Sequence, residues 1–154
     1  MNATLPIEQW ALDIQRGLAA VSGPLKRVFV VGEVDSTQDE ARRMQAGPGQ
    51  VIVAWRQLHG RGRLGRAWED RGEDGAAMTM VVQRERPERL AIASAVGVCL
   101  GIERLCGEQA KVRIKWPNDI LANDRKVAGI LVEQVDDRAL SGVAVKGRQM
   151  IGPE

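Results

Sequence analysis

Cysteine, histidine and aromatic side chains are scarce in this chain of 154 residues: two cysteines, one histidine, four tryptophans, one phenylalanine and no tyrosine. Cys99 and Cys106 fall on one predicted helix. A rise of about 1.5 Å per residue sets their Cα atoms roughly 10 Å apart, beyond the reach of a disulfide. With His59 as the single histidine, no zinc site is expected, and the unpaired thiols point to a reducing cytoplasm. Long hydrophobic runs are missing too. The longest uncharged stretch, 90–102, has 13 residues, short of the ~18 that suggest a membrane span, and reads as a buried helix. The N-terminus has no basic flank leading into an apolar run, so no secretory leader is expected. A charge excess is also absent, with 22 basic against 20 acidic residues. At 44% apolar and 27% charged, the chain reads as one globular domain with a real core, without a membrane partner.

What the sequence does have is local charge. In Gln57-Leu58-His59-Gly60-Arg61-Gly62-Arg63-Leu64-Gly65-Arg66-Ala67-Trp68, three glycines are interleaved with three arginines. Glycine lets a backbone bend close to a ligand, and arginine offers a permanent charge with a forked donor set for phosphate oxygens. Around this loop Arg56, Arg61, Arg63, Arg66 and Arg71 face only Glu69 and Asp70. A basic loop on a balanced protein favours a small anion over a long polyanion. It also lacks the aromatic interleaving of single-strand binders, so no DNA partner is expected.

Periodicity places these segments on elements. Ile7, Trp10, Ala11, Ile14 and Leu18 recur at helical spacing. Residues 28–31 read as a short strand, and Ser36-Thr37-Gln38-Asp39 as the cap of a helix through Met44. Strands follow at 51–55, with the Gly/Arg loop at its end, and at 76–83. Pro87 opens the long helix to Cys106. Residues 111–115 alternate as a strand does; 119–122 and 126–134 form a hairpin about Asn123-Asp124; 139–145 adds another strand. Strands outnumber helices and are joined by hairpins, which favours α+β over a doubly wound sheet. The organisation expected is an N-terminal helical segment (1–27), a body (28–145) and a tail (146–154).

Several of these residues have ordinary readings beside the functional one. Ser36 and Thr37 are what a plain helix cap needs, Lys115-Trp116-Pro117-Asn118-Asp119 can be a strand end with its turn, and Lys126 can be an exposed edge charge. Trp68 and Trp116 suit core or lid packing. Gly129 within a strand suggests a bulge or a close backbone approach. For His59, nothing in the sequence supplies a partner that would make it a base.

In order, Asp35-Ser36-Thr37, Gln57 ahead of Gly60-Arg61-Gly62-Arg63-Leu64-Gly65-Arg66-Ala67-Trp68, Lys115-Trp116-Pro117-Asn118-Asp119 and Lys126-Val127-Ala128-Gly129-Ile130-Leu131-Val132-Glu133 resemble the biotin protein ligase family over about residues 28–134. The resemblance implies a mixed, largely antiparallel sheet backed by helices, of the kind shared with lipoate ligases and class II aminoacyl-tRNA synthetases. It implies ATP-dependent activation of biotin as biotinyl-5′-AMP, with Mg²⁺, followed by transfer to a lysine of a biotin carboxyl carrier protein. Ser36, Thr37, Gln57, Gly60, Arg61 and Gly129 would then meet biotin. Arg61, Arg63, Arg66, Trp68, Lys115, Asn118 and Asp119 would form the nucleotide side, with Lys126 and Arg63 catalytic and no metal ligand assigned.

The sequence departs from that family in three places. Gln38 stands where the family usually has asparagine. The family's sheet continues into a Gly-Ile-Gly-Ile-Asn strand and then a small β-barrel, whereas here Leu140-Ser141-Gly142-Val143-Ala144-Val145 stands where that strand begins and the sequence soon ends. The expectation is therefore an uncovered sheet edge and a partly open biotin pocket. Only one helix precedes the first strand, so the DNA-binding region of some members, and repression with it, is not expected. The alternatives are a truncated, non-catalytic module holding biotin or its adenylate, with a homodimer left open, and a related lipoate-type acyl ligase.

Overall fold

A computed structural model describes residues 7–68, 75–107 and 110–147. Helix α1 (Ile7–Ala19) turns Trp10, Ala11, Ile14 and Leu18 inward and leaves Leu12 exposed. It docks on strand β1 (Arg27–Val34) through Gln15, whose amide donates to Lys26 O at 2.8 Å and accepts from Val28 N at 3.0 Å. The Trp10 ring also lies 5.1 Å from that of Trp55. Ser36, in extended conformation, caps helix α2 (Thr37–Arg43) by accepting from Gln38 N, as the sequence pattern requires. Gly49, at φ +94°, turns the chain into strand β2 (Gln50–Gln57).

Two short strands, β3 (Gly60–Arg61) and β4 (Ala67–Trp68), pair with each other. Then follow β5 (Gly75–Gln83), α3 (Pro87–Cys106), β6 (Val112–Lys115), β7 (Asp119–Ala122), β8 (Arg125–Val135) and β9 (Arg138–Lys146). Seven strands form one sheet in the order β1-β2-β5-β9-β8-β7-β6. Only β1 and β2 run parallel, joined by the α2 crossover, and every other neighbouring pair is antiparallel. Hairpins build an antiparallel sheet cheaply in chain length, whereas the parallel pair needs its helix. The β7–β8 turn puts Asn123 and Asp124 at φ 50° and 66°, the left-handed geometry that Asn and Asp tolerate best after glycine.

Side chains alternate across the sheet, so each face has its own core. Ala41, Ala46, Ile52, Val81 and Leu140 pack under α2, and Ala95, Ile102, Ile120, Ala122, Val127, Ala128, Ile130 and Val143 pack under α3. Two expectations need correction. The helix α3 is not buried: Ser94, Ala95 and Ile102 are, but Leu100 is 61% and Leu105 80% exposed. A helix lying on a sheet presents one side to it, and a run without charges does not bury the other. The glycine-bearing strand β9 is not left at an edge either, because it is hydrogen-bonded to β5 on one side and β8 on the other. Arg71, Glu69, Asp70 and the tail after Gly147 lie outside the described residues.

Candidate functional site

The α2 face of the sheet carries a cavity of about 400 Å³, within the range of small-molecule sites. Its floor is polar and buried. Gln57, at the end of β2, accepts from Thr37 N at 2.8 Å and from the Thr37 hydroxyl at 3.1 Å, and that hydroxyl accepts from Thr79 at 2.9 Å. Ser36, Thr37, Gln57 and Thr79 are all buried. Pairing among themselves offsets the desolvation that burial would otherwise cost them. Gln38, which stands where the family usually has asparagine, lines the floor beside them.

Over the floor hangs the Gly/Arg loop, which is more ordered than its glycines suggest. Leu58 N and His59 N donate to Val34 O and Asp35 O at the end of β1, and β3 pairs with β4 in the register Gly60↔Trp68. Between them Leu64 (φ 58°) and Gly65 (φ 73°) make a tight turn, with Gly62 N bonded to Arg66 O at 2.7 Å. Gly60 does not reach the cavity. A Cβ there would stand 3.1 Å from both Gln57 Nε2 and Trp68 O, so its missing side chain serves the packing of β3 against β4. Gly129 plays a similar part: a Cβ would come within 2.7 Å of Trp68 Cζ3. The bulge anticipated at Gly129 lies two residues earlier, where the β7–β8 register slips by one and leaves Val127 extra.

The charges divide into two sets. Arg61 is already engaged: it holds Asp39 through both guanidinium nitrogens, at 2.5 and 2.9 Å, and stands 3.6 Å from Glu133, while Arg42 bridges the same two carboxylates. The Arg61 hydrogen bonds hold the Asp39 carboxyl below its ordinary value against a smaller opposing effect of burial, and Asp39 in turn raises Arg61. Arg63, Arg66 and Lys115 also line the cavity, and none of them has an acidic partner among the described residues. Lys126 stands 2.7 Å from Asp119 Oδ1 and 5.0 Å from the Trp68 ring centre. Lys146 approaches the same ring at 5.2 Å. Asn118 is tied to β8, its side-chain amide donating to Ile130 O at 3.2 Å while its backbone carbonyl accepts from Ile130 N.

Of the residues singled out in the sequence, Ser36, Thr37, Gln57, Arg61, Arg63, Arg66, Trp68, Lys115, Asn118, Asp119, Lys126 and Gly129 all line this one cavity. His59 is outside it and 79% exposed, but it does have a partner, Asp35 Oδ1 at 3.0 Å. Gln38, Trp116, Leu131 and Gly142 line the cavity as well. The sequence hint for Gly142 was its place in the glycine-bearing strand.

Residues 31–146 match the model of the biotin/lipoate A/B protein ligase family. The chain belongs to that family. It is 37% identical over 108 residues to the bifunctional ligase/repressor BirA of Bacillus subtilis, covering 68% of this chain and 33% of that protein. It is 29% identical over 154 residues to the biotin–[acetyl-CoA-carboxylase] ligase of Mycobacterium tuberculosis, covering 94% and 57%. The structure superposes on biotin protein ligase from Aquifex aeolicus in complex with biotin and ATP with a TM-score of 0.71 and 31% identity, over 79% of this chain and 52% of that one. The mixed, mostly antiparallel sheet backed by helices is thus the biotin protein ligase fold, and the chain spans between a third and three-fifths of these relatives' lengths.

Proposed function

We propose that this chain activates biotin with ATP as biotinyl-5′-AMP and passes the biotinyl group to a lysine of a biotin carboxyl carrier protein. The observation that carries the reading is the division of one cavity into a buried hydrogen-bonding floor and a cationic rim. The floor suits a neutral polar head group. The rim suits a carboxylate meeting a polyphosphate, where like charges must be brought together before anything reacts.

In the first step a carboxylate oxygen of biotin attacks the α-phosphorus of ATP, the bond from that phosphorus to the α,β-bridging oxygen breaks, and the β- and γ-phosphates leave as pyrophosphate. Lys126 lies where carboxylate and α-phosphate would meet, and its ammonium compensates the charge that builds there. Its ion pair with Asp119 orients it. Arg63, Arg66 and Lys115 hold the outer phosphates and stabilise the leaving pyrophosphate. In the second step a lysine amine attacks the acyl carbon of the mixed anhydride and AMP leaves. Arg63 and the tip of the loop keep the anhydride from water between the steps.

Mg²⁺, when it accompanies ATP, neutralises phosphate charge. Among the described residues there is no cluster of three metal-ligating side chains, and Asp119 is the only carboxylate on the cavity. That donor set suits a cation held mainly by phosphates and water, and Asp119 is the residue that would help to hold it. The two thiols, Cys99 and Cys106, are free, in keeping with work in a reducing cytoplasm. Among the described residues no helix is long and apolar enough to cross a membrane.

Incubation with ATP, labelled biotin and a carrier domain tests the reading. The expected result is biotin-dependent pyrophosphate release and label on the carrier lysine, with lipoate failing to compete. Adenylate without labelled carrier would reduce the chain to a binding and activating module. Absence of both would overturn the proposal.

A further inference from the structure

The side of α3 that faces away from the sheet is apolar along its middle. Leu100 is 61%, Ile92 47% and Val96 43% exposed. At 3.6 residues per turn each residue advances about 100°, so Ile92 and Leu100 lie about 40° to either side of Val96, and Arg89 and Glu103 about 20°. The five residues form one exposed stripe along the helix, apolar in its middle three members and charged at both ends. A continuous apolar stripe with a charged border marks an interaction surface, which singly scattered apolar side chains do not.

The order of residues along the stripe says what covers it. Outward from Val96 in both directions, the sequence has Ile92 and Leu100 at four residues, Arg89 and Glu103 at seven, and Glu88 and Arg104 at eight. Each apolar residue is answered by an apolar one and each charge by its opposite. A helix with that pattern is complementary to itself turned end for end. Laid antiparallel on a copy, with Val96 on the two-fold axis, Ile92 meets Leu100, Arg89 meets Glu103 and Glu88 meets Arg104, each pair formed twice. The charges are available for this. Arg89 stands 3.7 Å from Glu85 with its side chain 70% exposed, and Glu88, Glu103 and Arg104 have no ion pair among the described residues.

We propose that the outer face of α3 is a docking surface for the α3 of a second copy of this chain, giving a two-fold symmetric dimer. The inference stands apart from the ligase reading. It also leaves the cavity accessible: Ser141 hydrogen-bonds with Ser94 of α3 at 2.7 Å while the next residue, Gly142, faces Gln38 of α2, so α3 and the cavity lie on opposite sides of the sheet. One helix pair is smaller than a standard interface, and the dimer is accordingly weak, with a Kd of about a micromolar or above.

The test is sedimentation equilibrium of the whole chain over a series reaching high-micromolar concentration. The native chain should show a monomer–dimer equilibrium. Arg89→Glu should weaken it about tenfold or more, because symmetry turns two attractive pairs into two repulsive ones, and Glu103→Arg should do the same. Combined in one chain, the two reversals should recover most of the loss. Val96→Lys, which sets two like charges together on the axis, should abolish the dimer. All three positions are exposed, and a thermal melt of each variant checks that the fold is intact. A native chain that stays monomeric throughout would overturn the proposal. A dimer that survives Val96→Lys would overturn it as well, since it would be built on another surface, and so would a double reversal no tighter than the single ones.

Discussion

The floor and the rim of the cavity are built on opposite plans. Thr37 and Gln57 on the floor, with Thr79 buried behind them, satisfy one another before any ligand arrives, whereas Arg63, Arg66 and Lys115 on the rim have no acidic partners among the described residues. A paired, buried floor is preorganised and costs little to reuse. An unpaired, exposed rim keeps its positive charge in reserve, and that charge gains most when a polyanion displaces water from it. Lys126 lies at the boundary, paired with Asp119 and 41% exposed. It is where the two halves would act on the same bond.

The largest expected effect comes from breaking that boundary. Lys126→Ala should slow biotin-dependent pyrophosphate release by about a hundredfold or more, the usual cost of removing one electrostatic contact made in the transition state. Biotin affinity and melting temperature should hardly move, which a titration and a thermal melt would check. Next comes a break in the floor. Thr37→Val removes the hydroxyl that both Gln57 and Thr79 use, and should cost about 1–3 kcal/mol of stability in a denaturant titration, while leaving ATP affinity alone. A break confined to the rim is gentler: Arg63→Ala should release free adenylate roughly tenfold faster, read by quenching preformed complex with excess unlabelled biotin.

The smallest effect concerns pH. The Arg61 hydrogen bonds depress the folded pKa of Asp39, so the pair stabilises the fold above the unfolded aspartate pKa. That contribution is lost as pH falls through the lower folded value. With Asp39 46% and Arg61 38% exposed, solvent screens most of it. Asp39→Asn should therefore cost a small amount of stability at neutral pH and nothing at strongly acidic pH, so that the acid limb of the stability profile is slightly blunted. A neutral-pH change of the size seen for Thr37→Val would mean that Arg61 belongs with the floor.

Much of this arrangement is legible in the sequence because it depends on neighbours along the chain. The helical spacing of Trp10, Ile14 and Leu18, the Ser36 cap, and the Asn123-Asp124 turn are local signals, and the elements formed as they require. Partners distant in sequence were not legible. Arg61 reads as a ligand-gripping charge until Asp39 and Glu133 are brought to it from α2 and β8. Gly60 and Gly129 read as places for a ligand to approach, and both accommodate Trp68. Gln38 finds its carbonyl partners 93 and 102 residues away. The β3–β4 pair is not legible either, because two-residue strands carry no periodicity.

The most direct test of the division is the salt dependence of binding, with biotin and ATP titrated separately into the same protein from low to high ionic strength. A neutral head on a preorganised floor, with a single carboxylate beyond it, should give biotin a shallow dependence. A polyphosphate on Arg63, Arg66 and Lys115 should give ATP a dependence several times steeper. Parallel slopes for the two ligands would contradict the account, because they would mean that floor and rim do not bind different parts of the reaction.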